Sequence, residues 1–89
     1  MILNGRTPEK EGQFLCETKV HCMMFVTNGN GKMWVDDKIF GISEEDCVDV
    51  PAGTKFAAEG YNFEYMTAES PAWYPEQATI VDKDGNIVG

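Results

Sequence analysis

Short apolar stretches alternate with turn residues along most of this chain. Between Gln13 and Tyr65 the turn signals recur roughly every 8–12 residues, a spacing typical of a sandwich or barrel of short antiparallel strands. The signals are Asn28-Gly29-Asn30-Gly31, Asp36-Asp37, Gly41, Pro51-Ala52-Gly53 and Glu59-Gly60. Asn and Gly suit such turns because they tolerate positive φ. The pattern therefore predicts an all-β fold, a small antiparallel barrel or jelly roll with little or no helix.

The segments between these turns are the predicted strands. They are Phe14–Thr18, His21–Thr27, Lys32–Val35, Lys38–Gly41, Cys47–Val50, Lys55–Ala58, Asn62–Met66, Ala78–Val81 and Asn86–Val88. Asn28–Gly31 is predicted to be a hairpin turn, and Asp84-Gly85 joins the last two strands as a second hairpin. Ser43–Asp46 is too short for a helix and is predicted to be a polar turn.

The length of 89 residues allows one domain only. Residues 1–12 are polar and interrupted by Gly5, Pro8 and Gly12, which predicts an N-terminal arm or a short edge segment. We expect the barrel to span about residues 13–82 and a C-terminal hairpin to span residues 83–89.

The charge balance excludes some partners. Seven basic residues against fifteen acidic ones give a net charge of −8, which disfavours nucleic acid and anionic membranes. No apolar run approaches the roughly 20 residues of a membrane span, and no signal peptide is recognised, so a cytoplasmic location is expected. The dispersed acidic residues indicate a solvated surface or, alternatively, a face that docks on a basic partner.

Cys16, Cys22 and Cys47 are an odd number of cysteines without a secretory signal, which disfavours a disulfide framework. Their spacing matches no zinc motif, and His21 is the only histidine. If one strand continued without interruption, Cys16, Thr18, Cys22 and Met24 would share the inner face and His21 would point outward. A turn at Thr18-Lys19 is the alternative, and it would break that alternation.

The central stretch resembles the cupin superfamily. The resemblance rests on residues 26–37 (VTNGNGKMWVDD), with a Gly-x-Gly turn followed by a hairpin, and on Pro51-Ala52-Gly53-Thr54. Residues 70–76 (SPAWYPE) are similar to the tail of small single-domain cupins, so the likeness spans about residues 14–82. It implies a small barrel, but not one function, since cupins include metalloenzymes, isomerases and storage proteins.

The family's metal ligands are absent at the matching positions. The family glutamate corresponds to Cys22 and the last histidine corresponds to Phe56. The paired histidines fall near Cys16 and Thr18, or near Leu15 and Glu17 with the longer spacing. A phenyl ring cannot ligate a metal, so no cofactor is expected. A soft-metal site from Cys16, Cys22 and Glu17, with His21, is the alternative to small buried cysteines.

The predicted function is binding of a small molecule, such as a sugar or metabolite, in the barrel, or a regulatory role. The predicted pocket residues are Cys16, Thr18, Cys22, Met24, Phe56 and Trp34. One alternative is a small enzyme acting on a sugar or metabolite, with His21 or a cysteine taking part. Another is an acidic protein that inhibits a basic partner. A homodimer is expected because a trimmed barrel leaves an edge for a second subunit. Trp73 and Tyr74 are predicted to lie on a rigid loop that closes the barrel end or contacts the second subunit, with a platform for stacking on a sugar as the alternative.

Overall fold

The computed structural model describes residues 2–89 and confirms the all-β prediction. Eight strands form one antiparallel sheet, with a single turn of 3₁₀ helix at Pro75–Gln77. The strands are β1 (Ile2–Thr7), β2 (Gln13–Glu17), β3 (His21–Asn28), β4 (Asn30–Val35), β5 (Lys38–Ser43), β6 (Cys47–Val50), β7 (Lys55–Ser70) and β8 (Ala78–Asp82).

Strand β7 organises the whole sheet. Its 16 residues pair along one edge with β4 and then β3. The other edge pairs with β2 and then β1. Strand β8 pairs with β2, while β5 and β6 pair with β4 and β3. A sheet in which one long strand is shared by so many partners must bend, and the bend rolls it into a barrel-like cup.

The bend lies where β3 passes into β4. Residues 28–31, predicted to be a hairpin turn, do not fold back: β3 and β4 both pair with β7, and only Gly29, at φ 81°, separates them. The hairpin prediction is therefore wrong. On β7 the matching irregularity is Asn62, at φ 50°. The turn predicted at Glu59-Gly60 is likewise part of a continuous strand.

The turn predicted at Gly41 is also wrong, because Gly41 lies inside β5 and pairs with Lys32. The remaining turns are placed as the sequence predicts. Asp36 and Asp37 connect the β4–β5 hairpin, and residues 44–45 form the turn before β6. After β8, Asp84-Gly85 turns the chain back so that Ile87 bridges Val81. At the other end, the segment expected as an arm or a short edge segment contains β1, a strand paired with β7 alone among the described strands and interrupted by a register shift between Leu3 and Gly5.

The rolled sheet has two apolar clusters. The larger one fills the concave side and contains Met24, Val26, Met33, Phe63 and Tyr65 among its members. A smaller cluster lies on the opposite side of β2 and β7, where Phe14, Ala57 and Val81 are buried with Trp34 packed against them. The two clusters together stabilise the strands that surround the concave side.

Part of the convex side is apolar and exposed. Met23, Phe25 and Met66 are 46%, 44% and 62% exposed. They are near one another because Phe25 pairs with Met66 and Met23 pairs with Ala68. The predicted homodimer stays a prediction. In residues 2–89 no helix has the length and apolar character needed to cross a membrane.

Candidate functional site

A cavity of about 200 Å³ lies on the concave side of the sheet. It is surrounded by side chains from the end of β1 and from β2, β3 and β7. The lining residues are Thr7, Leu15, Glu17, Cys22, Met24, Phe56, Ala58, Tyr65, Thr67 and Glu69. Most of the wall is apolar, and a few polar groups converge on it, which is the general character of a small-molecule site.

The alternation of side chains along β7 explains which residues enter the cavity. Phe56 and Ala58 point inward from the first half of the strand, as even-numbered residues. Beyond the irregularity at Asn62 the inward residues are odd-numbered, and Tyr65, Thr67 and Glu69 face the cavity. A single residue in the left-handed region shifts the alternation by one, as a β-bulge does. Without that shift Thr67 and Glu69 would lie on the convex face of the sheet.

Glu17 is the most unusual polar group of the cavity. Burial raises the pKa of its carboxyl group, the hydrogen bond from the Trp73 side chain lowers it, and the negative charge of Glu69 raises it again. The oxygen Oε2 is buried, and none of the described residues hydrogen-bonds to it. A buried carboxyl oxygen without a partner is costly, so a proton or a hydrogen-bond donor on that oxygen is favoured.

Cys22 lies in the same cavity and is 5% exposed. Burial, followed by the negative charges of Glu17 and Glu69, raises the pKa of its thiol to about 11. The thiolate is the reactive form, so this cysteine behaves as a small apolar side chain near neutral pH. Burial also raises the pKa of Tyr65, which keeps its hydroxyl protonated.

The structure brings together three of the six residues predicted to line the pocket. Cys22, Met24 and Phe56 line the cavity. Cys16, Thr18 and Trp34 lie outside it. Cys16 packs with the smaller cluster on the other side of the sheet. The Thr18 hydroxyl donates to the carbonyl oxygen of Gln77 over 2.7 Å.

Trp34 also faces the other side of the sheet. Its ring lies under two cations, with the Arg6 guanidinium 5.1 Å and the Lys32 ammonium 5.4 Å from the ring centroid. Its neighbour Met33 is the residue that faces the concave side, where it is fully buried. Trp34 therefore belongs to a structural cluster rather than to the cavity.

The misplacement of Cys16 and Thr18 has one physical cause. Residues 18–20 are not part of a strand, so the alternation counted from Cys22 does not continue into β2. This is the Thr18-Lys19 turn that the sequence left open. Leu15 and Glu17 take the inward positions instead, so the structure selects the longer of the two spacings that the cupin resemblance allowed.

His21 points away from the cavity. It is exposed and contacts the Asp49 carboxylate on the neighbouring strand β6. Because Cys22 follows it directly in a strand, the imidazole and the thiol are on opposite faces of the sheet. A catalytic pair of these two side chains is therefore geometrically excluded.

The cavity residues do not fit the metal site that the cupin resemblance implies. Its positions are occupied by Leu15, Glu17, Cys22 and Phe56, which all line the cavity. Leucine and phenylalanine offer no donor atom, and the raised pKa of Cys22 disfavours the thiolate that a metal would need. Among residues 2–89 no group of three or more His, Cys, Asp or Glu side chains is arranged to hold an ion. The side chains at the family's ligand positions therefore suit an organic ligand better than a metal ion.

Sequence reasoning did not place five of the ten lining residues in the cavity: Thr7, Ala58, Tyr65, Thr67 and Glu69. Three of the five, Tyr65, Thr67 and Glu69, follow the irregularity at Asn62. The signal that would have found them is the alternation of Tyr65, Thr67 and Glu69 after Asn62. That signal becomes readable only when residues 55–70 are known to be one bent strand.

A larger groove of about 580 Å³ lies along β1 and the loop that follows, but it is lined by residues 2–7 and Glu9 alone. The positively charged group there is Arg6, whose guanidinium donates three of its five N–H groups to the carbonyl oxygens of Pro8, Lys10 and Gln13. Most of its donors are therefore engaged by the backbone of the same segment. The cavity on the concave side, with its unpartnered carboxyl oxygen, is the stronger candidate.

Comparisons with known proteins support the fold. No family model matches the chain, and a search of curated proteins found no relative. Two solved structures are similar. One is a histidine-to-glutamine variant of Streptomyces Pac13 with uridine, at TM-score 0.70 and 18% identity over 80% of this chain. The other is Pac13 itself, described as a β-barrel nucleoside dehydratase, with the same TM-score and identity over 79% of this chain.

The likeness has a limited extent. The chain spans 58% and 57% of the two Pac13 chains that it matches. At such an identity the comparison establishes the arrangement of strands and carries no site residue over to this protein. The chain is therefore a small antiparallel barrel with the fold of Pac13.

Proposed function

We propose that this protein is a cupin-like barrel that binds a small molecule of nucleoside type in the cavity between β2, β3 and β7. The observation that carries the proposal is the Glu17 carboxyl group, one oxygen of which is buried within mainly apolar walls and receives no hydrogen bond from residues 2–89. Such a group can accept a hydrogen bond from a ligand that carries an N–H or O–H donor.

The size of the cavity limits the ligand. Ligand pockets for drug-sized molecules run from roughly 300 to 1,000 Å³, whereas this one holds about 200 Å³. It suits one ring of a compact ligand, with the rest of the molecule at the mouth near Glu69. A nucleoside has this form, a flat base joined to a hydroxylated sugar, and a solved structure of the same fold contains uridine.

The chemistry of the walls agrees with such a ligand. Met24, Phe56 and Ala58 offer apolar surface for a ring. Glu17 and Thr67 offer polar groups for its edges and for sugar hydroxyls. The Trp73 side chain, bonded to Glu17, lies on the loop between Pro71 and Pro75, which brings an aromatic ring to the mouth.

A titration of the protein with uridine by isothermal calorimetry tests the proposal. A matched pair of variants on β7 controls it: Thr67→Trp places a bulky ring on the cavity side, and Ala68→Trp places the same ring on the convex side. We expect Thr67→Trp to lower the affinity at least about tenfold and Ala68→Trp to leave it within about twofold. Equal affinities for both variants would contradict binding in the cavity.

A second candidate function is proton-transfer catalysis on the bound ligand. It is favoured by the raised pKa of Glu17, because a carboxyl group that titrates nearer to neutral pH can both give and take a proton. Mass spectrometry of nucleosides incubated with the protein in deuterated water tests it. Deuterium uptake or loss of water that disappears in Glu17→Gln would support catalysis, and unchanged nucleosides would restrict the protein to binding.

A further inference from the structure

The charge of the cavity has one sign. Among the described residues that line it, the charged side chains are Glu17 and Glu69, and both are acidic. The cationic side chains Arg6, Lys32 and Lys55 are directed to the other side of the sheet, where they lie over the rings of Phe14 and Trp34. No positive charge on a described lining residue compensates the two carboxyl groups.

The negative field reaches the interior of the cavity. Both Glu17 and Glu69 contribute to the raised pKa of the buried Cys22 thiol, which means that both disfavour a negative charge at that point. The protein as a whole carries −8, so the field outside the mouth has the same sign. An anionic ligand therefore meets repulsion on approach and again inside.

We propose that Glu17 and Glu69 make the cavity selective for charge: it accepts neutral or cationic ligands that bring a hydrogen-bond donor, and it rejects phosphorylated and other anionic ones. The ligand class is then a nucleoside or an amino-substituted nucleoside, and not a nucleotide. This inference rests on the proposed function and adds the reason for its selectivity.

The two carboxyl groups have different parts in this selection. Glu17 lies inside, where its unpartnered oxygen accepts a donor from the ligand. Glu69 is exposed and lies next to the last residue of β7, so its carboxyl group is at the mouth of the cavity. A phosphate on the part of the ligand that protrudes would lie near Glu69, and an ammonium group there would be attracted to it.

The test compares three probes that differ at one position of the sugar: uridine, uridine 5′-monophosphate and 5′-amino-5′-deoxyuridine. Calorimetry at low salt should show the monophosphate binding at least about tenfold more weakly than uridine, and the amine at least as tightly as uridine. Because exposed charges are screened by ions, both differences should shrink as salt is added. A difference in affinity caused by the bulk of the phosphate would not change with salt concentration, and that result would overturn the charge selection.

Glu69→Gln removes the charge at the mouth, and Glu76→Gln, an exposed acidic residue outside the cavity lining, is the matched control. We expect Glu69→Gln to reduce the ratio of the affinities for uridine and for its monophosphate about threefold or more. Glu76→Gln should leave that ratio unchanged. The probe series on the unaltered protein decides the matter even if a variant folds poorly.

Each outcome has a distinct meaning. Uridine and its monophosphate binding with equal affinity, both blocked by Thr67→Trp, would overturn the charge selection and leave the proposed function standing. Tighter binding of the monophosphate would overturn it as well. Failure of uridine and of the amine to bind at all would overturn the proposed function together with this inference.

Discussion

The Trp73 side chain, on the loop after β7, acts as a hydrogen-bond donor that lowers the pKa of the Glu17 carboxyl group on the inner face of β2. Oε2 of that carboxyl group is buried without a described partner. The loop between Pro71 and Pro75 therefore influences the polar group of the cavity that can accept a hydrogen bond from a ligand. This contact connects the fold of the mouth to the chemistry of the site.

Trp73→Phe should raise the pKa of Glu17 further. The substitution keeps an aromatic ring on the loop but removes the indole N–H, whose hydrogen bond favours the ionised carboxylate. The pKa is measured by following the Glu17 side-chain carbon signal in an NMR titration. Tyr74→Phe, at the neighbouring exposed ring, is the control and should leave the titration unchanged. A Glu17 titration that does not respond to Trp73→Phe would show that the bond is absent in solution.

Glu17→Gln should change how stability depends on pH. Burial raises the pKa of Glu17 above its ordinary value of 4.5, so the folded protein holds that proton more tightly than the unfolded chain does. The stabilisation from the protonated group is complete below the unfolded value and is lost as pH rises through the folded one. Glutamine stays neutral and avoids this loss.

The free energy of unfolding of Glu17→Gln should therefore increase relative to that of the natural protein as pH rises from about 4 to about 7. Urea unfolding at several pH values measures the difference. Glu69 and Cys22 are the titratable groups that interact with Glu17 across the cavity, and both are present in the two proteins being compared. Parallel stability curves for the two proteins would show that Glu17 titrates as an ordinary surface carboxyl.

The three cysteines should differ in reactivity. Cys47 is exposed, Cys16 is partly buried, and Cys22 is buried with a pKa of about 11. At pH 8 about one Cys22 thiol in a thousand is ionised, since each pH unit below the pKa lowers that fraction tenfold. We expect iodoacetamide to label Cys47 first and Cys22 last, with the rates differing by at least about a hundredfold.

Peptide mapping by mass spectrometry assigns the labelled positions. In Cys47→Ser the fast phase should vanish, and in denaturant the three rates should converge. Labelling of Cys22 at the rate of Cys47 in the folded protein would place that thiol outside the cavity.

Gly31→Ala should destabilise the bend in the sheet. Gly31 pairs with Gly60 between β4 and β7, and a Cβ atom at position 31 would lie 2.4 Å from the carbonyl oxygen of Glu59. The oxygen belongs to the backbone of a paired strand and cannot move freely, so we expect a loss of about 1–3 kcal/mol in the free energy of unfolding. Chemical denaturation measures it.

Gly41→Ala is the matched control for that substitution. A Cβ atom there would meet nothing closer than 3.9 Å, and the position is exposed. Its effect should stay within about 0.5 kcal/mol. If Gly31→Ala lowered the free energy of unfolding no more than Gly41→Ala does, β4 and β7 would not lie as close together at this point as the structure shows.

The sequence predicted the fold class because strand periodicity and turn chemistry are local. The Asp36-Asp37 hairpin and the Asp84-Gly85 turn were found in this way. The Asn28–Gly31 segment was predicted to be a hairpin turn because a glycine at positive φ is compatible with both a hairpin and a bent strand. What decides between them is the partner, here β7, which lies more than twenty residues further along the chain.

Three of the ten residues that line the candidate site were predicted from the sequence. Cys22 and Met24 follow from alternation within β3, and Phe56 follows from the resemblance to cupins. Glu17 and Glu69 depend on two breaks in alternation, one at residues 18–20 and one at Asn62. Each break moves side chains to the other face by one position, and a sequence pattern does not locate such shifts.

The central claim is that the cavity beside Glu17 receives the ligand, and backbone amide NMR shifts during a titration with uridine test it most directly. The account predicts saturable shifts concentrated at Glu17, Cys22 and Thr67, with the Trp73 indole signal moving in step. Shifts confined to the convex residues Met23, Phe25 and Met66, or to the groove along residues 2–9, would contradict it.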